Sequence, residues 1–262
     1  MVVLFAGVLN TGIVCESRSL ARFANDSPIK PKQACWMLID LAIHPEWREK
    51  CKKEIRDLLF HHLGDTLSSA PLSEKLGAIP ISAWENELPV LEACIRESQR
   101  ITINGAAIRR NLYGEMKIGE QIVKRGDFLT YSLGDVHLNP ECYPEPYKYD
   151  PGRWLRPDPV PNVPYPFLGW GVGRHPCTGM RVAKLEMKLM LTIFLTRYDY
   201  DLVDKDGKFP DPLPVPNRND IHQVRVGLQT TMFCKGAHLS LRVVQVRPLG
   251  ATPYFDFNKV VE

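Results

Sequence analysis

One cysteine stands where a glycine-rich loop runs into a helical pattern: Trp170-Gly171-Val172-Gly173-Arg174-His175-Pro176-Cys177-Thr178-Gly179 leads into an amphipathic segment that begins near Thr178. A thiolate at a helix N-terminus meets unpaired N–H groups and the positive end of the helix dipole, which favour the anionic form of a soft metal ligand. Gly171 and Gly173 let the backbone turn tightly and come close to a flat group, and Gly179 lets the new helix lie against it. Pro176 removes a donor from the loop and holds Cys177 in place. The alternative is a buried structural cysteine after an ordinary loop. A second pair with chemical meaning is Glu97 and Arg100, three residues apart and therefore on one helical face. At a surface such a pair contributes only roughly a few tenths of a kcal/mol.

Elements must exist to position these groups, and composition bounds them. With 262 residues and 44% hydrophobic content, the chain can bury one large core or two small ones. A net charge of +3 is too mild to argue for nucleic acid. Seven cysteines with no Cys-x-x-Cys pair exclude a zinc module and a disulfide framework, and fit a reducing compartment. There is no run of eighteen apolar residues, and the apolar stretch Met1 to Ile13 is too short to span a bilayer. It lacks the basic start of a signal peptide as well.

Read as a pattern, Trp170-x-x-Gly173-x-His175-x-Cys177-x-Gly179 resembles the haem-binding loop of the cytochrome P450 family, with Trp for the usual Phe. In that family the cysteine is the thiolate ligand of haem iron. The resemblance therefore implies Cys177 as the axial ligand and His175 as a donor to a haem propionate. Three further motifs follow the family's order. Ala6-Gly7-x-x-Asn10-Thr11 resembles the oxygen-binding helix, which implies Thr11 as the hydroxyl that steers protons; Leu9 stands where an acid is usual, so the relay's carboxylate is either missing or replaced by Asn10. Glu97-x-x-Arg100 matches the family's Glu-x-x-Arg, and Pro151-Gly152-Arg153 its Pro-x-Arg, which implies a buried network of Glu97, Arg100 and Arg153. Gly152 replaces an acidic residue there. Arg110, beyond Glu-x-x-Arg, fits the offset of an arginine that reaches a haem propionate in sterol-demethylase-like members.

The chain thus resembles the C-terminal half of a fungal microsomal cytochrome P450, sterol 14-demethylase-like in its Arg-His-Pro-Cys-Thr-Gly-Met-Arg wording. That implies a mainly helical fold with small β-sheets, truncated at its N-terminus, with residues 1–262 forming a single incomplete haem-binding domain. It also implies haem b and a monooxygenase that inserts one atom of dioxygen into an apolar, sterol-like substrate. Electrons would come from NADPH through a flavoprotein reductase, with Lys184 and Lys188 as its contacts. The parent enzyme would sit on the cytosolic face of the endoplasmic reticulum membrane, through an anchor this chain lacks. Two rival readings stay open: a truncated, non-catalytic product, and a haem-thiolate isomerase or reductase.

In chain order, residues 1–13 read as a buried helix that has lost its start and that continues at Ala34. The polar, proline-bearing run 14–33 interrupts it, and so long a loop inside one buried helix is improbable on loop statistics. It reads as a translated intron, since a Val codon can hold the GT of a splice donor and a Gln codon the CAG of an acceptor. Residues 224–245 read the same way, because Gln223-Val224-Arg225 is repeated at Gln245-Val246-Arg247. The alternative is a pair of genuine surface insertions. Trp47 to Phe60 and Glu87 to Ile101 are periodic helices, while adjacent His61 and His62 read as solvated. Ala106 to Leu112, Met116 to Val123, Phe128 to Ser132 and Tyr198 to Val203 read as strands, and Val182, Leu185, Leu189 and Ile193 as the apolar stripe of the helix after Cys177.

Overall fold

The computed structural model describes residues 32–64, 72–103, 106–157, 164–174, 176–204, 206–216, 232–234 and 237–245. Helix α1, Lys32–Ile43, is apolar almost all round, and that composition places it inside: Trp36, Met37, Ile39 and Leu41 are fully covered. It packs against α2 (Pro45–Leu63) and α5 (Pro89–Thr102). Pro45 starts α2 because a first-turn residue needs no amide donor. The buried face of α2 is Cys51, Ile55, Leu58 and Leu59, the set its helical period dictates.

The start of α5 is capped by another helix. Pro89 occupies its first turn, and both carboxylate oxygens of Glu54, on α2, accept the amides of Val90 and Leu91 at 2.8 and 2.9 Å. This satisfies two of the donors every helix leaves orphaned and sets a negative charge at the positive end of the dipole. Leu88, Leu91, Cys94 and Ile95 then face the shared core. Between α2 and α5 the described residues form two short helices, α3 (Leu72–Ala78) and α4 (Ile81–Asn86).

Two small antiparallel ribbons follow. β1 (Ala106–Arg110) pairs with β4 (Phe128–Ser132). β2 (Met116–Ile118) pairs with β3 (Gln121–Val123). The stretch Met116 to Val123, expected as one strand, is therefore a hairpin. It reverses at Gly119, whose φ of 58° is one that side-chain-bearing residues rarely adopt. The short α6 (Leu133–His137) opens an irregular proline-rich meander that ends in a single 3₁₀ turn at Pro151–Leu155.

Helix α7, Met180–Arg197, lies directly beyond the cysteine loop. Its buried apolar face is Met187, Leu191 and Leu195, spaced four apart, whereas Val182 is 62% exposed and Leu185, Leu189 and Ile193 are half-buried. The expected stripe is thus rotated, because α4 presents the carbonyls of Trp84 and Glu85 to Lys188 and draws that side of α7 inward. The chain closes on β5 (Asp199–Asp204), which pairs with β7 (Ala237–Gln245), itself paired with β6 (Met232–Cys234). Part of the segment 224–245 therefore lies in this sheet, in keeping with strand-like apolar runs that a hairpin can use. Residues 1–31 lie outside the described residues. The mainly helical class with small sheets is the observed one, and no described helix is long and apolar enough to cross a membrane.

Candidate functional site

Glu97 is wholly buried on α5 and gathers five donors. Its Oε1 accepts from Arg100 Nη2 at 2.8 Å, from Arg153 Nε at 3.0 Å and from the amide of Asp150 at 3.0 Å. Its Oε2 accepts from Arg100 Nε at 2.9 Å and from the indole Nε1 of Trp154 at 2.8 Å. One carboxylate thus binds two guanidinium groups, which leaves an excess positive charge in the interior. Arg100 answers this by donating to the carbonyls of His137 (2.8 Å), Pro146 (2.7 Å) and Lys148 (3.3 Å). Carbonyl dipoles converging on a cation supply the stabilisation that a second acid would otherwise give. The ring of Tyr143 lies 4.9 Å from the Arg100 guanidinium and 5.8 Å from that of Arg153. Gly152 belongs to this packing, since a side chain there would come within 2.9 Å of Asp150 Oδ1.

Sequence reasoning brought Glu97, Arg100 and Arg153 into view but missed Trp154 and His137. The only signal for Trp154 was its place next to Arg153. His137 had none, because its partners are 31 to 37 residues away.

His137 is fully buried, and its Nε2 accepts the amide of Leu168 at 2.8 Å. Burial and, second to it, the Arg100 charge hold the imidazole pKa down at about 4, against an ordinary 6.5. Leu168 opens a tight turn whose carbonyl accepts the amide of Gly171 at 3.0 Å. Inside that turn the carbonyl of Trp170 accepts the amide of Cys177 at 2.7 Å. Gly171 and Gly173 have φ of 71° and 72°, so the loop closes only because these positions lack a Cβ. The thiol of Cys177 is free and exposed, and its carbonyl accepts the amide of Met180 as α7 begins. Trp170 packs against the core, while Gly179 is the residue that caps α7.

Of the remaining candidates, the described residues include Arg110 alone. Arg110 is exposed on β1, with Nε donating to the carbonyl of Gly126 at 3.2 Å. His175, Thr11, Asn10, Ala6 and Gly7 lie outside the described residues.

The two lysines expected to meet a reductase are occupied within the fold. Lys188 is 3% exposed and its ammonium is bonded to the Trp84 carbonyl and paired with Glu92 at 3.1 Å. Lys184 pairs with the other oxygen of Glu92 at 2.6 Å. Sequence charge alone could not reveal that α5 supplies a partner for both and α4 two more for Lys188. Among the described residues, one trio of metal-ligand types converges, His61, His62 and Glu87. His62 Nε2 and Glu87 share a hydrogen bond at 2.8 Å at the surface.

The sequence profile of the family described as Cytochrome P450 matches residues 33–223. Cytochrome P450 monooxygenase AacuE of Aspergillus aculeatus is 34% identical over 203 residues, which cover 76% of this chain and 40% of that protein. Cytochrome P450 monooxygenase nsrP of Aspergillus novofumigatus is 32% identical over 203 residues, covering 76% and 39%. Fusicoccin H C-9 hydroxylase of Phomopsis amygdali is 31% identical over 206 residues, covering 74% and 36%. The chain spans about 40% of the length of the curated relatives it matches. Its fold is similar to that of retinoic acid-bound cyanobacterial CYP120A1, with a TM-score of 0.54 at 22% identity over 80% of this chain and 42% of that one. A cytochrome P450DA mutant haem domain gives 0.55 at 19% identity, over 82% and 41%. These fungal relatives are not sterol 14-demethylases, so the sterol-like wording of the cysteine loop does not mark that group.

Proposed function

The chain belongs to the cytochrome P450 family, and from that membership we propose that it is the cysteine-bearing part of a haem-thiolate monooxygenase acting on an apolar small molecule. The family implies haem, and the residues present fit it. Cys177 offers a free, exposed thiol, the soft donor that thiolate-ligated haem requires, and the space where Gly173 would carry a side chain is open. Cys177 would hold the iron, Gly173 would admit the ring, and Arg110 and His175 would meet its propionates. When bound, haem b supplies the oxygen activation that lets one atom of dioxygen enter a substrate; the protein supplies orientation and electrostatics. Thr11 and Asn10 would deliver protons. NADPH would provide electrons through a flavoprotein reductase. A membrane anchor N-terminal to these residues would hold the enzyme on the cytosolic face of the endoplasmic reticulum.

The exposed Cys177 thiol, fixed by its own amide directly before α7, carries this reading. Its test is the ferrous carbon monoxide spectrum of the full-length protein: Cys177→Ser is expected to abolish the thiolate-type Soret band, and an unchanged band overturns the assignment.

A second reading concerns the segments 14–33 and 224–245 as translated introns absent from the working enzyme. The family match begins at Gln33 and ends at Gln223, at the inner edge of each segment, which supports it. Sequencing of transcripts decides the matter. Reads that join the coding sequence of Ile13 to that of Ala34 support removal, and reads that uniformly retain both segments overturn it.

A further inference from the structure

We propose that His137 is the positioning residue that couples the Glu97 hub to the Cys177 loop, its Nε2 acting as the acceptor that fixes the Leu168 amide. The inference rests on the reading of Cys177 as the iron ligand for its functional meaning, but its geometry stands apart from any cofactor.

A continuous run of hydrogen bonds joins the two places. Glu97 holds the guanidinium of Arg100 at both oxygens. Arg100 Nη1 holds the carbonyl of His137 at 2.8 Å. The His137 ring holds Leu168, the Leu168 carbonyl holds Gly171, and the Trp170 carbonyl inside that turn holds the amide of Cys177. Backbone bonds make every link from Leu168 onward. Upstream, His137 is the one side chain in the run that reaches across from the meander to the approach of the loop. Tyr143 assists nearby, its hydroxyl donating to the carbonyl of Pro166 at 2.7 Å.

The ring of His137 is held for this task. It stacks on Phe167 at 5.1 Å between centroids and 21° between planes, and Phe167 in turn meets Trp154 edge to face. Accepting at Nε2 requires the tautomer with its proton on Nδ1, and Nδ1 is buried with no partner among the described residues. A buried donor without an acceptor is destabilising. A ring that served only to fill space would gain by being apolar, so the uncompensated Nδ1 points to a gain made at Nε2. Burial and, second to it, the positive charge of Arg100 oppose protonation and keep that acceptor in place.

Hydrogen exchange resolved at the Leu168 amide of the full chain tests this, with the amides of α5 as internal reference. His137→Phe keeps an aromatic ring without an acceptor and is expected to speed exchange at Leu168 about tenfold, the ordinary worth of one buried hydrogen bond, while α5 is unchanged. His137→Gln places an amide oxygen near the Nε2 position and is expected to restore slow exchange. If Leu168 exchanges freely in the unsubstituted chain, if the Phe variant leaves it slow, or if the Gln variant matches Phe, the proposal falls. In the haem-loaded full-length protein the Phe variant is expected to lose part of the thiolate-type Soret band and the Gln variant to keep it. Failure of the Cys177→Ser test would remove the functional meaning and leave the exchange result standing, so the two failures are distinguishable.

Discussion

Around Glu97, five donors converge on a carboxylate with no solvent access, and the guanidinium of Arg100 makes five contacts of its own. Around Cys177 the thiol is exposed, and what holds the loop is main chain: two turn bonds and two glycines at positive φ. The two regions are opposite in construction. One is overdetermined by side chains that tolerate no loss; the other is defined by backbone conformation and leaves its reactive atom free. A ligand that must face a cofactor cannot be surrounded by protein, so its precision has to come from behind.

The largest test of that contrast removes the centre of the hub. Glu97→Ala leaves two guanidinium groups and an indole donor buried without their acceptor, and Arg100→Ala leaves the carboxylate and three carbonyls underbonded. Either is expected to destabilise the protein by about 3 to 5 kcal/mol, read as a shift in the denaturation midpoint. Arg153→Ala should fall at the low end, since Arg153 gives Glu97 one bond where Arg100 gives two. Unchanged midpoints in Arg100→Ala and Arg153→Ala would show that the hub carries no stability.

A second test uses pH, because the hub is flanked by half-buried Asp40 and buried His137, which titrate in opposite senses. Asp40 accepts from Ser98 Oγ at 2.6 Å, and burial raises its pKa to about 7 from 3.8. The folded state then keeps a proton the unfolded chain has released, so this term lowers stability as pH rises from about 4 to about 7 and is flat above. His137, held at about 4 against 6.5, works the other way: the unfolded chain binds the proton, and stability rises over about pH 4 to 6.5. Each slope is about 1.4 kcal/mol per pH unit at most, and in the native protein they largely cancel. Asp40→Asn should expose the rising slope and His137→Gln the falling one, in denaturation curves recorded across pH. Two parallel profiles would mean that neither group is shielded as the structure places it.

What the sequence disclosed follows from the same contrast. Helices α2 and α5 announce themselves by apolar spacing, and the loop before α7 by Gly171, Gly173 and Pro176, since local conformation is written in local residue types. The helices α3, α4 and α6 are five to seven residues long, too short for a periodic signal. The Met116 to Val123 hairpin was hidden because one glycine decides between a strand and a reversal. Glu97 and Arg100 declared their shared face through a spacing of three, but the donors Trp154 and the Asp150 amide lie more than fifty residues away. The burial of Lys188 is unreadable from a charged letter, because its compensation comes from carbonyls of a helix about a hundred residues earlier.

A third test acts on backbone alone. Gly171→Ala and Gly173→Ala each force a Cβ into the left-handed region, with an expected loss of about 1 to 2 kcal/mol. Nothing among the described residues lies within 4 Å of a Cβ at Gly173, so there the loss is conformational and not steric. Hydrogen exchange should rise in the loop and stay level in α5, which separates a local opening from a global one.

The smallest expected effect falls on the residue of greatest chemical interest. Cys177→Ser changes one exposed atom, and its structural anchor is the amide that donates to Trp170, which serine retains. Exposed substitutions away from caps, cavities and charges stay within about 0.5 kcal/mol, so the denaturation midpoint of the cofactor-free chain should not move. A measured loss comparable to that of Arg100→Ala would mean that the thiol is packed rather than presented, and the division between a hub that stabilises and a loop that presents would fail at its most exposed point. An unmoved midpoint, alongside a lost thiolate-type Soret band in the full-length protein, assigns Cys177 to chemistry and leaves stability to the groups behind it.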